Sequence, residues 1–174
     1  MNKKISVLFE RLQDDLLKLL SELDKLDKAK LETPPAKGKW SVTQVMQHLN
    51  SAESLSVKYV LKKQLGAARL KRTGLEAQLR LLFARVAFYI PFKYRAPKFL
   101  GTMPEVVSYD GIKSEWLKTR NELLSLLDSL KDDELDKPIF KQPFFGRWNI
   151  YQMLGFMKTH FNRHRKQMMR TIKK

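Results

Sequence analysis

The chain has no cysteine at all among its 174 residues. That excludes disulfides, thiolate metal sites and any cysteine nucleophile supplied by the protein itself. Long apolar runs are missing too. The most apolar stretch, Leu75 to Phe92, is interrupted by Glu76, Arg80 and Arg85. A membrane-spanning helix needs roughly 20 uninterrupted apolar residues, so no span is expected. The N-terminus is basic but has no apolar h-region, because charge recurs from Glu10 onward. It reads as the start of a helix of the mature protein and not as a signal peptide, and a cytoplasmic location is expected.

Acidic residues are scarce: 18 Asp and Glu stand against 34 Lys and Arg, a formal net charge of +16. Such an excess suits nucleic acid, an anionic membrane surface or an acidic substrate. The cations are spread along most of the chain and no nucleic-acid-binding motif accompanies them. The charge therefore reads as a basic surface, and nucleic acid is not the expected partner. The basic stretch of Lys62, Lys63, Arg69, Lys71 and Arg72 is the one that would contact nucleic acid or anionic lipid.

No segment alternates convincingly as a strand, and four long helical segments stand out. The first runs from about Lys3 to Lys28, with Ile5, Phe9, Leu12, Leu16, Leu19, Leu23 and Leu26 at the four-three spacing of a bundle seam. The second starts at Ser41, which with Gln44 makes a capping-box pair, and runs to about Leu65. Its expected stripe is Val45, His48, Ala52, Leu55 and Tyr59. The third spans about Gly111 to Leu130, with Asp110 as N-cap and Ile112, Trp116, Leu123, Leu127 and Leu130 inward. The fourth follows Asn149, again with glutamine three residues on, and reaches about Ile172 with Met153, Met157, His160, His164 and Met168 on one face. Between the second and third lies a long connection, Gly66 to Tyr109. It holds a helical piece near Leu75 to Tyr89 and breaks at Pro91, Pro97 and Pro104. The length and the single pattern of caps predict one all-α domain over residues 1–174.

An internal echo joins the second and fourth helices. Gly38-Lys39-Trp40-Ser41-Val42, with Gln44 beyond, reads against Gly146-Arg147-Trp148-Asn149-Ile150 with Gln152 beyond. Helix-start grammar explains the cap and the glutamine but not the tryptophans. Each tryptophan is expected to fold back on its helix start as a hydrophobic staple and to be largely buried.

The only three histidines, His48, His160 and His164, all fall on core-facing stripes. An apolar face covers little more than 100° of a helix, so chance would place all three inward in roughly one case in thirty. His160 and His164 are four apart and stack on one face. His48 lies about 10 Å from the start of its helix, and His164 lies about 12 Å from the end of its own. The levels match only if these two helices are antiparallel. A simple up-and-down bundle makes them parallel, whereas a long crossover between the second and third helices reverses this, and the long connection is there. Three imidazoles without cysteine or an inward carboxylate suit zinc or nickel ahead of copper or iron. They leave a coordination position open, as in catalytic sites.

The spacing Trp40-Ser41 then His48-Leu49, paired with Trp148-Asn149-Ile150 and the distant His160-Phe161-Asn162-Arg163-His164, resembles the DinB superfamily. The likeness extends over essentially the whole chain. It implies a four-helix bundle in up-down-down-up order with a divalent metal, usually nickel or zinc, held by His48, His160 and His164. Some members of that family are S-transferases or isomerases for a low-molecular-weight thiol such as bacillithiol or mycothiol. On this footing a metal-dependent enzyme acting on a small-molecule substrate is expected, with a metal-activated thiol as nucleophile and Arg163 and Arg165 near the mouth. The alternatives are a metal-dependent hydrolase and a non-enzymatic metal-binding stress-response module with a basic surface. A hydrolase needs a general base, and Glu53, the nearest acid, is expected off the ligand stripe. A homodimer is the assembly to test.

Overall fold

A computed structural model describes residues 1–64, 107–142 and 146–173, together with positions 74, 75, 79, 82 and 83. Most of the helical piece expected near Leu75 to Tyr89, and most of the basic stretch ending at Arg72, lie outside the described residues.

The leucine seam forms α1, Lys3–Leu23, and buries Ile5, Phe9, Leu12, Leu16, Leu19 and Leu23. Each fully buried apolar side chain of this size contributes about 1.5–3 kcal/mol. The helix ends at Leu23, short of the expected Lys28. Beyond it, Asp24 turns its carboxylate to Lys113, 2.6 Å away, and to the Tyr109 hydroxyl, 2.8 Å away. Asp27 then caps a separate short helix, α2, Lys28–Glu32, by accepting from the Ala29 N–H. The longer helices that follow are α3, Val42–Gln64, α4, Tyr109–Ser129, and α5, Ile150–Ile172. The cap of α4 is Ser108, whose hydroxyl accepts from the Gly111 N–H, and not Asp110. Asp110 sits in the first turn and pairs with Lys28 instead.

Two apolar cores give the chain direction of every helix. One core joins Ile5, Phe9 and Leu12 of α1, Val57 and Val60 of α3, Leu123 to Leu127 of α4, and Ile150 to Met157 of α5. The other joins Leu16 to Leu23, Val42 to Leu49, Tyr109 to Trp116, and Phe161 with Met168. Helices α1 and α5 therefore run one way and α3 and α4 the other. The order is up-down-down-up, with α3 antiparallel to α5 and the α3–α4 connection crossing over.

The buried face of α3 is turned from the expected stripe. Val42, Val45, Met46, Leu49, Asn50, Glu53, Val57 and Val60 are buried, whereas Leu55 is 54% exposed. The rotation follows from polar partners on α4. The Asn50 amide lies 3.5 Å from Glu115, the Gln64 amide donates to the Ser129 carbonyl at 3.3 Å, and Glu53 is fully paired between them. Before α5 a small antiparallel hairpin intervenes, which sequence alternation did not reveal. Strands β1, Phe140–Gln142, and β2, Gly146–Trp148, pair Phe140 with Trp148. Three residues per strand are too few for a period of two to register, and the fold stays all-α in class.

Candidate metal centre

Both helices that carry histidines are phased by a capping box. In α3 the Ser41 hydroxyl accepts from the Gln44 N–H at 3.1 Å, and the Gln44 side chain accepts from the Ser41 N–H at 2.9 Å. In α5, Asn149 and Gln152 make the same two bonds at 2.9 and 3.0 Å. With the starts fixed and the helices antiparallel, His48 meets His160 and His164 at one level. The donor atoms of the three imidazoles all lie within 4.8 Å of one another. Ring centroids are 5.2 Å apart for His48 and His160, 4.9 Å for His48 and His164, and 4.7 Å for His160 and His164.

His48 Nε2 and His160 Nε2 are separated by 3.3 Å. Two nitrogens each 2.0–2.1 Å from one ion at a tetrahedral angle would be about 3.3 Å apart. The donor atoms of the other pairs lie within 4.8 Å, so at that angle they would close by up to about 1.5 Å around an ion. The donor set fits a divalent cation.

Charge favours the same conclusion. Burial pushes the pKa of His48 below the ordinary value of 6.5. Burial, with the charges of the other two histidines, holds His160 well below it. His164 is pushed down to about 4, chiefly by burial and then by His48. All three are neutral at pH 7, the form a metal requires. Gln167 Oε1 lies 2.9 Å from His164 Nδ1. The tautomer that satisfies this contact protonates Nδ1 and leaves Nε2 for the cluster. Taken as whole residues, all three histidines are half-buried.

Aromatic rings flank it. Trp40 packs on His48 with centroids 5.4 Å apart, and Phe156 stacks on His160 at 5.5 Å. No carboxylate belongs to the cluster among the described residues. Glu53 stays out of the cluster, in keeping with its spacing from His48, yet it faces inward and is buried at 3% exposure. Its carboxylate accepts from Arg120 Nε at 2.7 Å, from Arg120 Nη2 at 2.9 Å and from the Trp116 indole N–H at 2.9 Å. This network was missed because Asn50, Glu53 and Ser56 look like a solvated stripe until their partners on α4 are seen. The readable hint was Trp116 and Arg120, one turn apart on a helix whose other inward residues are apolar. Arg165 does not face the mouth alone: it pairs with Glu22 of α1 at 2.8 Å.

Among the described residues no helix is long and apolar enough to cross a membrane. A curated relative, the uncharacterised protein YuaE of Bacillus subtilis (strain 168), is 27% identical over 152 residues, covering 87% of this chain and 89% of that protein. Among solved structures, YfiT from Bacillus subtilis, described as a probable metal-dependent hydrolase with an unusual four-helix bundle topology, superposes with a TM-score of 0.59. The match covers 98% of this chain and 87% of that one at 16% identity, and it speaks for the fold. The family model of the DinB superfamily matches residues 8–168, a span that takes in both capping boxes and all three histidines. The chain belongs to the DinB superfamily.

Proposed function

We propose that His48, His160 and His164 bind one divalent cation, nickel or zinc, and that the protein is a metal-dependent enzyme for which transfer of a low-molecular-weight thiol is the leading reaction. The observation that carries this reading is the convergence of three neutral imidazoles from two antiparallel helices, with no carboxylate among them. Three protein ligands leave a coordination position for an exogenous group, the arrangement of catalytic sites. A divalent ion held there supplies Lewis acidity that favours the deprotonated form of a bound thiol or water.

The chain's own residues do the rest. Gln167 holds the His164 tautomer, and Trp40 and Phe156 keep water off two sides of the cluster. The sulfur has to come from a co-substrate, because the chain has no cysteine. Thiolate attack asks for no general base once the thiol is ionised. A water ionised on the ion would likewise need none, but cleavage also asks for a group that hands a proton to the leaving atom, and the acid nearest along α3, Glu53, is occupied by Arg120 and Trp116. The hydrolase reading rests on the description of YfiT.

Cobalt-substituted protein separates the two. On the transferase reading, bacillithiol, mycothiol or glutathione at millimolar concentration shifts the cobalt absorption bands, and thiol is consumed in the presence of an electrophile. An unchanged spectrum with all three thiols, together with ester or amide cleavage that needs the ion, would replace thiol transfer by hydrolysis.

A further inference from the structure

The echo between the two helix starts repeats in three dimensions, beyond the capping boxes. In each copy the glycine has positive φ, 73° at Gly38 and 82° at Gly146, a region open to glycine without strain. In each copy the tryptophan packs on the ring eight residues further along. Trp40 and His48 have centroids 5.4 Å apart with planes at 58°. Trp148 and Phe156 have centroids 5.4 Å apart with planes at 54°. Position 156 is thus the counterpart of His48, and its phenyl ring stacks on His160 at 5.5 Å with only 12° between the planes.

Core packing alone accounts for Trp148, which has no exposed surface. It accounts less fully for Trp40, which packs against the second core but stays only half-buried and leans on a histidine of the cluster. The terminal torsion of a histidine is broad, so the ring plane has to be set by its neighbours. His164 has the Gln167 hydrogen bond for this purpose. Among the described residues His48 has no hydrogen-bond contact except with His160.

We propose that the repeated tryptophan is a positioning residue for the metal centre, Trp40 acting directly on His48 and Trp148 acting on His160 through Phe156. The inference rests on the metal reading above. Each indole limits the swing of a ring, so that the donor nitrogens point to one place before an ion arrives. Ordering paid during folding is then not charged to binding.

The test is zinc affinity, measured by chelator competition, set beside the thermal midpoint of the metal-free protein. Trp40→Ala and Phe156→Ala should each weaken zinc about 10- to 100-fold, the usual effect of losing a residue that orients a ligand. Trp40→Phe, which restores a flat ring, should recover most of the loss, whereas Trp40→Leu, which restores only bulk, should not. Trp40→Leu also serves if the alanine variant does not fold. Affinities within twofold of the parent in both alanine variants, with only the midpoint lowered, would make these rings ordinary core residues and overturn the inference. His48→Ala keeps the two ideas apart. If it abolishes zinc binding while Trp40→Ala does not, only the positioning role fails. If it leaves zinc binding intact, the metal reading fails first.

Discussion

Replacing Glu53 by leucine is expected to damage stability without touching the histidines. Arg120 is 1% exposed and has its Nε and Nη2 groups on Glu53, while its Nη1 has no partner among the described residues. Removing the carboxylate strands a guanidinium in the core. Breaking a buried ion pair from one side costs about 3–5 kcal/mol, and the orphaned Trp116 indole N–H adds about 1 kcal/mol. Together that is about 4–6 kcal/mol, a large share of the 5–15 kcal/mol typical of a domain's total stability. At a urea slope of about 2–3 kcal/mol per molar, the unfolding midpoint followed by circular dichroism should fall by about 2 M. The double variant Glu53→Leu with Arg120→Met removes the stranded charge and should recover most of the loss, because well-packed apolar replacements of such pairs are often neutral. A single variant that loses less than about 1 kcal/mol, or a double variant as weak as the single, would refute this account of the network. Zinc affinity of the folded single variant should match the parent, since Glu53 lies outside the cluster.

Acid should destabilise the metal-free protein through the histidines. All three are held below 6.5 in the fold, His164 at about 4, so the unfolded chain binds protons that the folded chain does not. Stability is present above about 6.5 and lost as pH falls toward 4, at up to about 1.4 kcal/mol per pH unit for each histidine. The melting temperature should drop between pH 7 and pH 5, with a shallower drop in His164→Gln, and a flat profile in the parent would contradict it. Trp148→Ala should cost about 3–5 kcal/mol in urea titrations, as expected for a fully buried aromatic. Trp40→Ala should cost clearly less, because part of its ring is already in water. Equal losses would mean that the two tryptophans are equally buried in solution.

Much of this fold is readable because its signals are local. The seam of α1, the inward face of α4 and the capping boxes of α3 and α5 need only spacing and cap chemistry. The crossover was legible because His48 reaches His160 and His164 at one level only when α3 and α5 are antiparallel. What could not be read depends on partners far along the chain. The face of α3 is turned by Asn50 and Glu53 meeting Glu115, Trp116 and Arg120, and no window on α3 contains those residues. The end of α1 depends on Asp24 being drawn to Lys113 and Tyr109, some 85 to 89 positions away. The tryptophan echo was visible as letters, but its unequal burial was not. Trp148 is enclosed by the β1–β2 hairpin and Phe156, whereas Trp40 follows an exposed turn at Gly38.

The central claim is that three histidines from two helices hold one ion. It is tested most directly by the metal content of the purified protein and of His48→Ala, His160→Ala and His164→Ala, each loaded with zinc or nickel and freed of excess. The account predicts about one divalent ion per chain in the parent and a loss of most of it in every variant. Circular dichroism should stay largely helical, because the leucine seam and the two cores do not depend on the ion. A parent without stoichiometric metal, or any one variant that keeps its full complement, would contradict the account.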